Sequence, residues 1–120
     1  GDITKLDFPP RHFGFVACLS VIEHGVDWRL FFPEMWRIME QGAPLFVSFD
    51  YWTDPINVGD RTMYGAPVHV FDRTEVMQMI SYARDCGLSL DGTLNLDCRD
   101  RVVKWYGLEY TFCNLLFYRR

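Results

Sequence analysis

The sequence predicts an α/β domain built on an open β-sheet, with the element order β, α, β, long loop, α, β, β. Two short apolar runs, at 13–22 and 44–52, flank a stretch whose apolar residues recur at helical spacing; this pattern is typical of two parallel strands joined by a helix. A D-x-x-E sequence then opens a second helix, and the tail at 88–120 alternates apolar runs with turns. Since the chain has 120 residues, 49% of them hydrophobic, we expect one domain with a single core over 1–120.

Composition excludes several classes of function. The net charge is -4, and basic residues do not cluster before the last two positions, so sequence-independent nucleic-acid binding is not expected. No apolar run approaches the roughly 20 residues that cross a bilayer, and no signal peptide opens the chain. We therefore expect a cytoplasmic protein with no membrane partner.

The cysteines point to a reducing environment. They are far apart and form no C-x-x-C, so their spacing excludes the usual zinc and haem sites, and we expect no bound metal. Sequence leaves open a disulfide between two of them. The four are Cys18, Cys86, Cys98 and Cys113.

The first strand follows a loop. Residues 1–12 are predicted as a loop because Pro9-Pro10 excludes a helix. The nearly continuous apolar run at 13–22 is short for a helix and suits a strand buried on both faces.

A helix with a predicted break leads to the second strand. Asp27 is suited to cap it. Pro33 is expected to kink the helix or to begin a second helical piece as its first residue, and Gly42 is expected to stop it. The strand at 44–52 follows, and a crossover of this kind makes two strands parallel.

The second half begins with a long, turn-rich loop at 53–71, a length that is usually functional or mobile in a compact domain. Asp72 and Glu75 then form a capping-box pattern at the start of a helix that Gly87 ends. The remaining tail is interpreted as two or three strands, with a turn at Asp91-Gly92.

The predicted topology locates a binding site. In open α/β sheets, ligands bind beyond the carboxyl ends of the strands. These ends are residues 18–20 and 48–52, and the first is followed by the titratable pair Glu23-His24.

Over about its first 50 residues the sequence resembles the second half of a class I S-adenosylmethionine-dependent methyltransferase. The family pattern is an acidic-hydrophobic pair, a Leu-x-Phe turn, a strand ending in Glu-His, a helix with Glu and Arg, and a Leu-x-x-Ser strand; these are here Asp2-Ile3, Leu6 and Phe8, Glu23-His24, Glu34 and Arg37, and Leu45 to Ser48. The family's Pro-Gly-Gly turn is replaced by Gln-Gly-Ala-Pro at 41–44, and its glycine-rich cofactor loop is absent. The resemblance implies a partial Rossmann-like methyltransferase sheet of parallel strands with an antiparallel final strand, and hence a truncated, carboxyl-terminal part of the fold.

The resemblance also implies S-adenosylmethionine as cofactor. Asp2 would accept a hydrogen bond from the adenine amino group, and Ile3 would cover the ring. Cys18, Leu19 and Ser20 would line the methionine end. The alternatives are a solvated Asp2 and a strand end whose carbonyls bind a neighbouring loop.

Acceptor-side roles follow in the same way. His24 would be a general base or would orient an acceptor hydroxyl; the alternative is that Glu23 and His24 brace the following helix. Asp50, Tyr51 and Trp52 would bind the acceptor, or else form a wet strand end with aromatic packing.

Three residues of the long loop, Tyr64, His69 and Phe71, would form a lid or belong to an ordinary surface loop.

The implied activity is methyl transfer to a small-molecule or glycan-type acceptor in a full-length form. The 120-residue chain by itself is expected to bind S-adenosylmethionine weakly or not at all and to be inactive.

Two other classes of protein compete with this interpretation. One is a non-enzymatic α/β binding or dimerisation module, in which a homodimer covers the apolar strand at 13–21 or the surface next to it. The other is a small α+β cone-like ligand-binding domain, which needs antiparallel strands at 13–21 and 44–52, so strand direction discriminates between them.

Overall fold

A computed structural model describes most of the chain. The described residues are 3–19, 22, 26–52, 62–63, 66–67, 69–92, 103–105 and 108–120. Within them the elements are β1 (Val16–Leu19), α1 (Trp28–Ile38), β2 (Pro44–Tyr51), β3 (Thr62–Met63), β4 (Ala66–Pro67), α2 (Arg73–Asp85), β5 (Leu88–Leu90), β6 (Val103–Trp105) and β7 (Leu108–Arg119).

The sheet has the strand order β1-β2-β7-β5, with β6 also paired to β7. β1 and β2 are parallel, with Val16 opposite Leu45 and Leu19 opposite Ser48. β2 and β7 are antiparallel along the whole of β2. The predicted partial Rossmann-like sheet with an antiparallel final strand is therefore confirmed, and the parallel pair excludes the cone-like alternative.

The last strand lies inside the sheet and not at its edge. β7 pairs antiparallel with both β2 and β5, and Cys113, Leu115 and Phe117 are buried while Asn114 and Tyr118 are exposed. This alternation is the period-2 pattern of a strand that covers a core on one face. In the described part of the tail three strands form, β5, β6 and β7, in agreement with the expected two or three.

Helix α1 is continuous, so the predicted break at Pro33 is wrong. Asp27 is the N-cap, as predicted, and its side chain accepts a hydrogen bond from the Arg29 N–H at 3.0 Å. Pro33 has no N–H to donate to the carbonyl of residue 29, four positions earlier. The Tyr82 hydroxyl donates to that Arg29 carbonyl instead, at 2.8 Å. A side chain from α2 thus satisfies the carbonyl that the proline leaves without its usual helical partner.

The end of α1 also differs from the prediction. The helix ends at Ile38, and Met39 is already extended. Gly42 lies in the turn before β2, with φ +81°, where the Ala43 N–H donates to the Glu40 carbonyl at 3.0 Å. A residue at the third position of such a turn needs positive φ, which glycine supplies without strain.

Helix α2 forms as predicted. Asp72 accepts from the Glu75 N–H at 2.9 Å, and the Glu75 carboxylate accepts from the Asp72 N–H at 3.4 Å, which completes the capping box. Gly87 ends the helix with φ +98°. A Cβ built there would lie 2.6 Å from the Trp36 indole nitrogen, so this position accepts only glycine without a shift of Trp36.

Strand β1 is shorter than the predicted strand at 13–22 and is buried on one face only. Cys18 is buried, but Leu19 is 58% exposed and the preceding Phe15 is 59% exposed. The reason is position: among the described strands β1 pairs with β2 alone and forms an edge of the sheet.

The core fills the space between the sheet and the two helices. Its largest fully buried side chains are Phe31, Phe32, Met35, Ile38, Met39, Leu45, Phe49, Tyr51, Met79 and Phe117, with Ile22. Part of the long loop forms the separate hairpin β3-β4.

The described helices include none that is long and apolar enough to cross a membrane. The disulfide that the sequence left open is not formed among Cys18, Cys86 and Cys113, which are free thiols. Cys98 lies outside the described residues.

Candidate functional site

The carboxyl end of β2 projects past that of β1. Leu19, the last residue of β1, lies opposite Ser48, so β2 continues for three residues more. Phe71 takes the place beside this extension: its N–H donates to the Asp50 carbonyl and its carbonyl accepts from the Trp52 N–H, each at 3.0 Å. These two hydrogen bonds hold the segment before α2 beside the end of β2.

A cleft of about 290 Å³ opens at this edge of the sheet. We call it the acceptor cleft, after the acceptor-binding role that the sequence predicts for this edge of the sheet. It lies where β1 ends and where both helices begin, which is the expected position for a ligand in an open α/β sheet. Its lining consists of Ile22, Val26, Asp27, Trp28, His69, Phe71 and Glu75.

A histidine-carboxylate pair forms one wall of the acceptor cleft. His69 Nε2 lies 2.6 Å from Glu75 Oε2, and the imidazole ring meets the Phe71 ring edge-on with a centroid distance of 4.7 Å. Since Phe71 is buried and bonded to β2, it gives His69 a rigid support. Nε2 donates to the carboxylate when His69 is neutral, which leaves Nδ1 as an acceptor.

The opposite wall is the first turn of α1. Asp27 lines the cleft and also caps the helix, and Trp28 follows it. The Arg29 guanidinium lies over the Trp28 ring, 4.3 Å from the ring centroid. The Tyr82 ring meets the Trp28 ring edge-on, with a centroid distance of 5.7 Å. Partial desolvation raises the pKa of Tyr82, so its hydroxyl stays protonated and keeps its bond to the Arg29 carbonyl.

A second hollow of about 270 Å³, the apolar groove, lies against β1. Its lining carries only apolar side chains and a cysteine: Ile3, Leu6, Phe8, Phe13, Phe15, Val16, Ala17, Cys18, Met35 and Ile38. Ile3 and Cys18, two predicted cofactor contacts, are brought together here. Leu19, the third described member of that set, is largely exposed.

The loop that carries Ile3 is clamped to α1. Glu34 accepts from the Leu6 N–H and forms a bidentate pair with Arg37 at 2.6 and 2.8 Å. Arg37 also donates to the carbonyls of Phe8, at 2.7 Å, and Leu6, at 3.0 Å. The hydrogen bond that Arg37 donates to the Glu34 carboxylate raises the pKa of Arg37. The Leu-x-Phe turn and the Glu-Arg helix, which were separate parts of the sequence resemblance, are therefore in direct contact.

The predicted acceptor contacts at the end of β2 are buried. Asp50, Tyr51 and Trp52 are 6%, 1% and 8% exposed, and the described lining of the acceptor cleft does not include them. Their role in acceptor binding stays a prediction.

Several predicted site residues lie outside the described residues, namely Asp2, Ser20, Glu23, His24 and Tyr64. Their roles also stay predictions. Of the three predicted lid residues, His69 and Phe71 are described, and both line the acceptor cleft.

Sequence reasoning did not place Glu75 or Asp27 at a site. Both were interpreted only as helix caps, and the structure shows that each also lines the acceptor cleft. The available signal was an imidazole six residues before a capping carboxylate, a spacing with no general meaning outside this turn. Within the described ranges no group of three His, Cys, Asp or Glu side chains could hold a metal ion.

Comparisons with known proteins agree with this geometry. Residues 1–47 match the family model described as a methyltransferase domain. No curated protein sequence matches the chain significantly.

Solved structures share the fold at low sequence identity. An S-adenosylmethionine-dependent methyltransferase from Methanosarcina mazei is 12% identical, with a TM-score of 0.67 over 99% of this chain and 65% of its own. A geranyl diphosphate C-methyltransferase from Streptomyces coelicolor is 13% identical, with a TM-score of 0.66 over 98% of this chain and 50% of its own. The cyclase SpnF is 17% identical, with a TM-score of 0.55 over 77% of this chain and 32% of its own.

The chain thus spans from about a third to just under two thirds of the length of these three structures. The sequence match at its start and the shared sheet confirm the resemblance: this chain has the fold of part of a class I S-adenosylmethionine-dependent methyltransferase.

Proposed function

We propose that this chain forms the acceptor-binding side of an S-adenosylmethionine-dependent methyltransferase that acts on a small-molecule or glycan-type acceptor. The observation that carries the proposal is the position of the acceptor cleft. It opens where the parallel strands β1 and β2 end and where α1 and α2 begin, and ligands of open α/β sheets bind in such places. The match of residues 1–47 to the methyltransferase domain supports the reaction class.

The chain's own residues have a positioning role in this proposal. S-adenosylmethionine, when bound, supplies a methyl group that is already electrophilic, so the protein mainly orients the acceptor and excludes water. His69, held by Glu75 and supported by Phe71, orients a polar group of the acceptor. His24 stays the predicted general base.

The described residues fit only part of the cofactor. In the apolar groove, Ile3 and Cys18 offer the apolar surface that a flat adenine ring needs. The groove's described lining has no charged side chain for the ribose hydroxyls or for the amino-acid end. We therefore propose that the 120-residue chain alone binds the cofactor weakly and does not turn over. In this proposal Asp2 adds a contact to the adenine, and Leu19 and Ser20 add contacts to the methionine end.

Isothermal titration calorimetry tests this proposal. S-adenosylmethionine titrated into the 120-residue chain is expected to give a Kd of about 1 mM or weaker, and no labelled methyl group is expected to be transferred. Any longer product of the gene that carries a glycine-rich loop is expected to bind more tightly and to transfer the label. Micromolar binding by the 120-residue chain would contradict the proposal.

A second candidate function is a dimerisation module that covers the edge strand with a second copy. Two exposed apolar side chains lie at this edge: Phe15 directly precedes β1, and Leu19 is its last residue. No charged residue occurs from 13 to 19. An uncharged edge of this kind is open to strand pairing. The chain as a whole carries a charge of -4, so two copies meet the least repulsion at this neutral segment.

Light scattering at high concentration distinguishes this candidate. The dimer is expected to dissociate in a Leu19→Lys variant and to persist in Leu30→Lys, which changes a leucine of similar exposure on α1. A wild-type chain that stays monomeric, or a dimer equally weakened by both substitutions, would exclude pairing through β1.

A further inference from the structure

The polar groups that line the acceptor cleft are almost all hydrogen-bond acceptors. Asp27 and Glu75 contribute carboxylates, and neutral His69 contributes Nδ1. The indole N–H of Trp28 is the exception among the lining side chains. A ligand that satisfies this wall must therefore bring donors of its own.

The charges of the lining indicate which kind of hydrogen-bond donor the ligand carries. When His69 is neutral, the charged side chains of the described lining are the carboxylates of Asp27 and Glu75. This lining contains no Lys or Arg. The guanidinium of Arg29 lies over the Trp28 ring, and Arg29 is not part of the described lining. Acidic walls favour an ammonium group over a neutral hydroxyl and disfavour a carboxylate.

The carboxylates of Asp27 and Glu75 can accept further hydrogen bonds from a ligand. Asp27 Oδ1 accepts one bond, from the Arg29 N–H, and Glu75 accepts from His69 and from the Asp72 N–H. An ionised carboxylate offers about four lone-pair sites, so each has sites left over. The remaining walls, at Ile22, Val26 and Phe71, are apolar.

We infer that the acceptor cleft binds a small molecule in which a protonated amine is attached to an apolar body. The amine lies between Glu75 and Asp27, and the apolar body packs against Phe71 and Val26. This inference rests on the proposed function and adds the chemical class of its acceptor.

Three probes that share a 2-phenylethyl group and differ in their polar group test the inference on the 120-residue chain without any methyl donor. The probes are 2-phenylethylamine, 2-phenylethanol and 3-phenylpropionate at pH 7.5, and binding is followed by amide chemical-shift changes. The amine is expected to bind best and to shift His69, Phe71 and Glu75. A Glu75→Gln variant, which keeps a capping box, is expected to weaken amine binding about threefold to fivefold and to leave the alcohol unchanged. The matched variant Glu40→Gln, at an exposed turn, is expected to change neither.

The outcomes separate this inference from the proposed function. Equal binding of amine and alcohol, preference for the carboxylate, or equal effects of the two glutamine variants would overturn the amine class and leave the cleft as an acceptor site. Shifts confined to the apolar groove, or no shift with any probe, would overturn both the amine class and the assignment of the cleft.

Discussion

At the scale of single residues, the hydroxyl of Tyr82 accounts for the continuity of α1. Pro33 leaves the Arg29 carbonyl without its helical donor, and Tyr82 supplies one at 2.8 Å from 53 residues away in sequence. The proline by itself predicted a kink or a second helical piece, and no local pattern indicated that Tyr82 supplies the replacement donor. The predicted break was therefore wrong for a tertiary reason.

This pairing makes a testable prediction. Tyr82→Phe keeps the ring contact with Trp28 but removes the donor, so the free energy of unfolding is expected to fall by about 0.5–1 kcal/mol. In a Pro33→Ala background the alanine N–H serves the same carbonyl, and the Tyr82→Phe substitution is expected to cost distinctly less. Urea denaturation of the four proteins gives the coupling energy. Equal costs in both backgrounds would show that Tyr82 does not replace the helical bond.

The caps that begin the two helices and the glycine that ends α2 were the residue-level features that sequence predicted well. Asp72 and Glu75 are three residues apart, and their capping box depends only on that spacing. Gly87 ends the helix because its positive φ is a local requirement. By contrast, the pairing of Glu75 with His69 in one wall of the acceptor cleft depends on how the 69–71 segment lies along β2, which local sequence does not specify.

At the scale of elements, the clamp between α1 and the amino-terminal loop joins two parts of the sequence pattern. Arg37 contacts Glu34, Leu6 and Phe8 at once. This guanidinium therefore contributes two of the hydrogen bonds that hold the loop on α1, beside the Leu6–Glu34 bond and the backbone bonds from Arg11 and His12 to the end of the helix. The loop in turn positions Ile3 at the apolar groove.

Substitution of that guanidinium is expected to loosen the loop. In Arg37→Leu, the Leu6 amide is expected to exchange hydrogen several-fold faster, and trypsin is expected to cleave faster after Lys5, because the two loop carbonyls and Glu34 lose their common partner. Arg84→Leu, which removes an arginine from the last turn of α2, serves as the control. Unchanged exchange at Leu6 in Arg37→Leu would mean that packing alone holds the loop.

The elements themselves were largely predictable, and their places in the sheet were only partly so. The apolar run at 13–22 correctly predicted a strand, since its hydrophobic length is a local property. Its burial on both faces was not correct, because β1 forms an edge of the described sheet. Whether a strand has one neighbour or two depends on the rest of the sheet, and an isolated apolar run contains no such information.

At the scale of the whole molecule, one arrangement links fold and function. Two parallel strands end side by side, and the antiparallel β7 closes the sheet on the other side of β2. β2 continues for three residues past the end of β1. The segment at 69–71 lies beside this extension of β2 and brings His69 to the acceptor cleft. The shared fold of the cyclase SpnF shows that this sheet does not by itself determine a reaction, so the site's own residues must carry the functional argument.

The most direct test of this account is the direction of β1 relative to β2, measured by interstrand nuclear Overhauser effects between backbone protons. The account predicts contacts that place Val16 beside Leu45 and Leu19 beside Ser48, together with antiparallel contacts between β2 and β7. Contacts that place Val16 beside Ser48 and Leu19 beside Leu45 would contradict it, because the two strand ends would then lie at opposite edges and could form no common site.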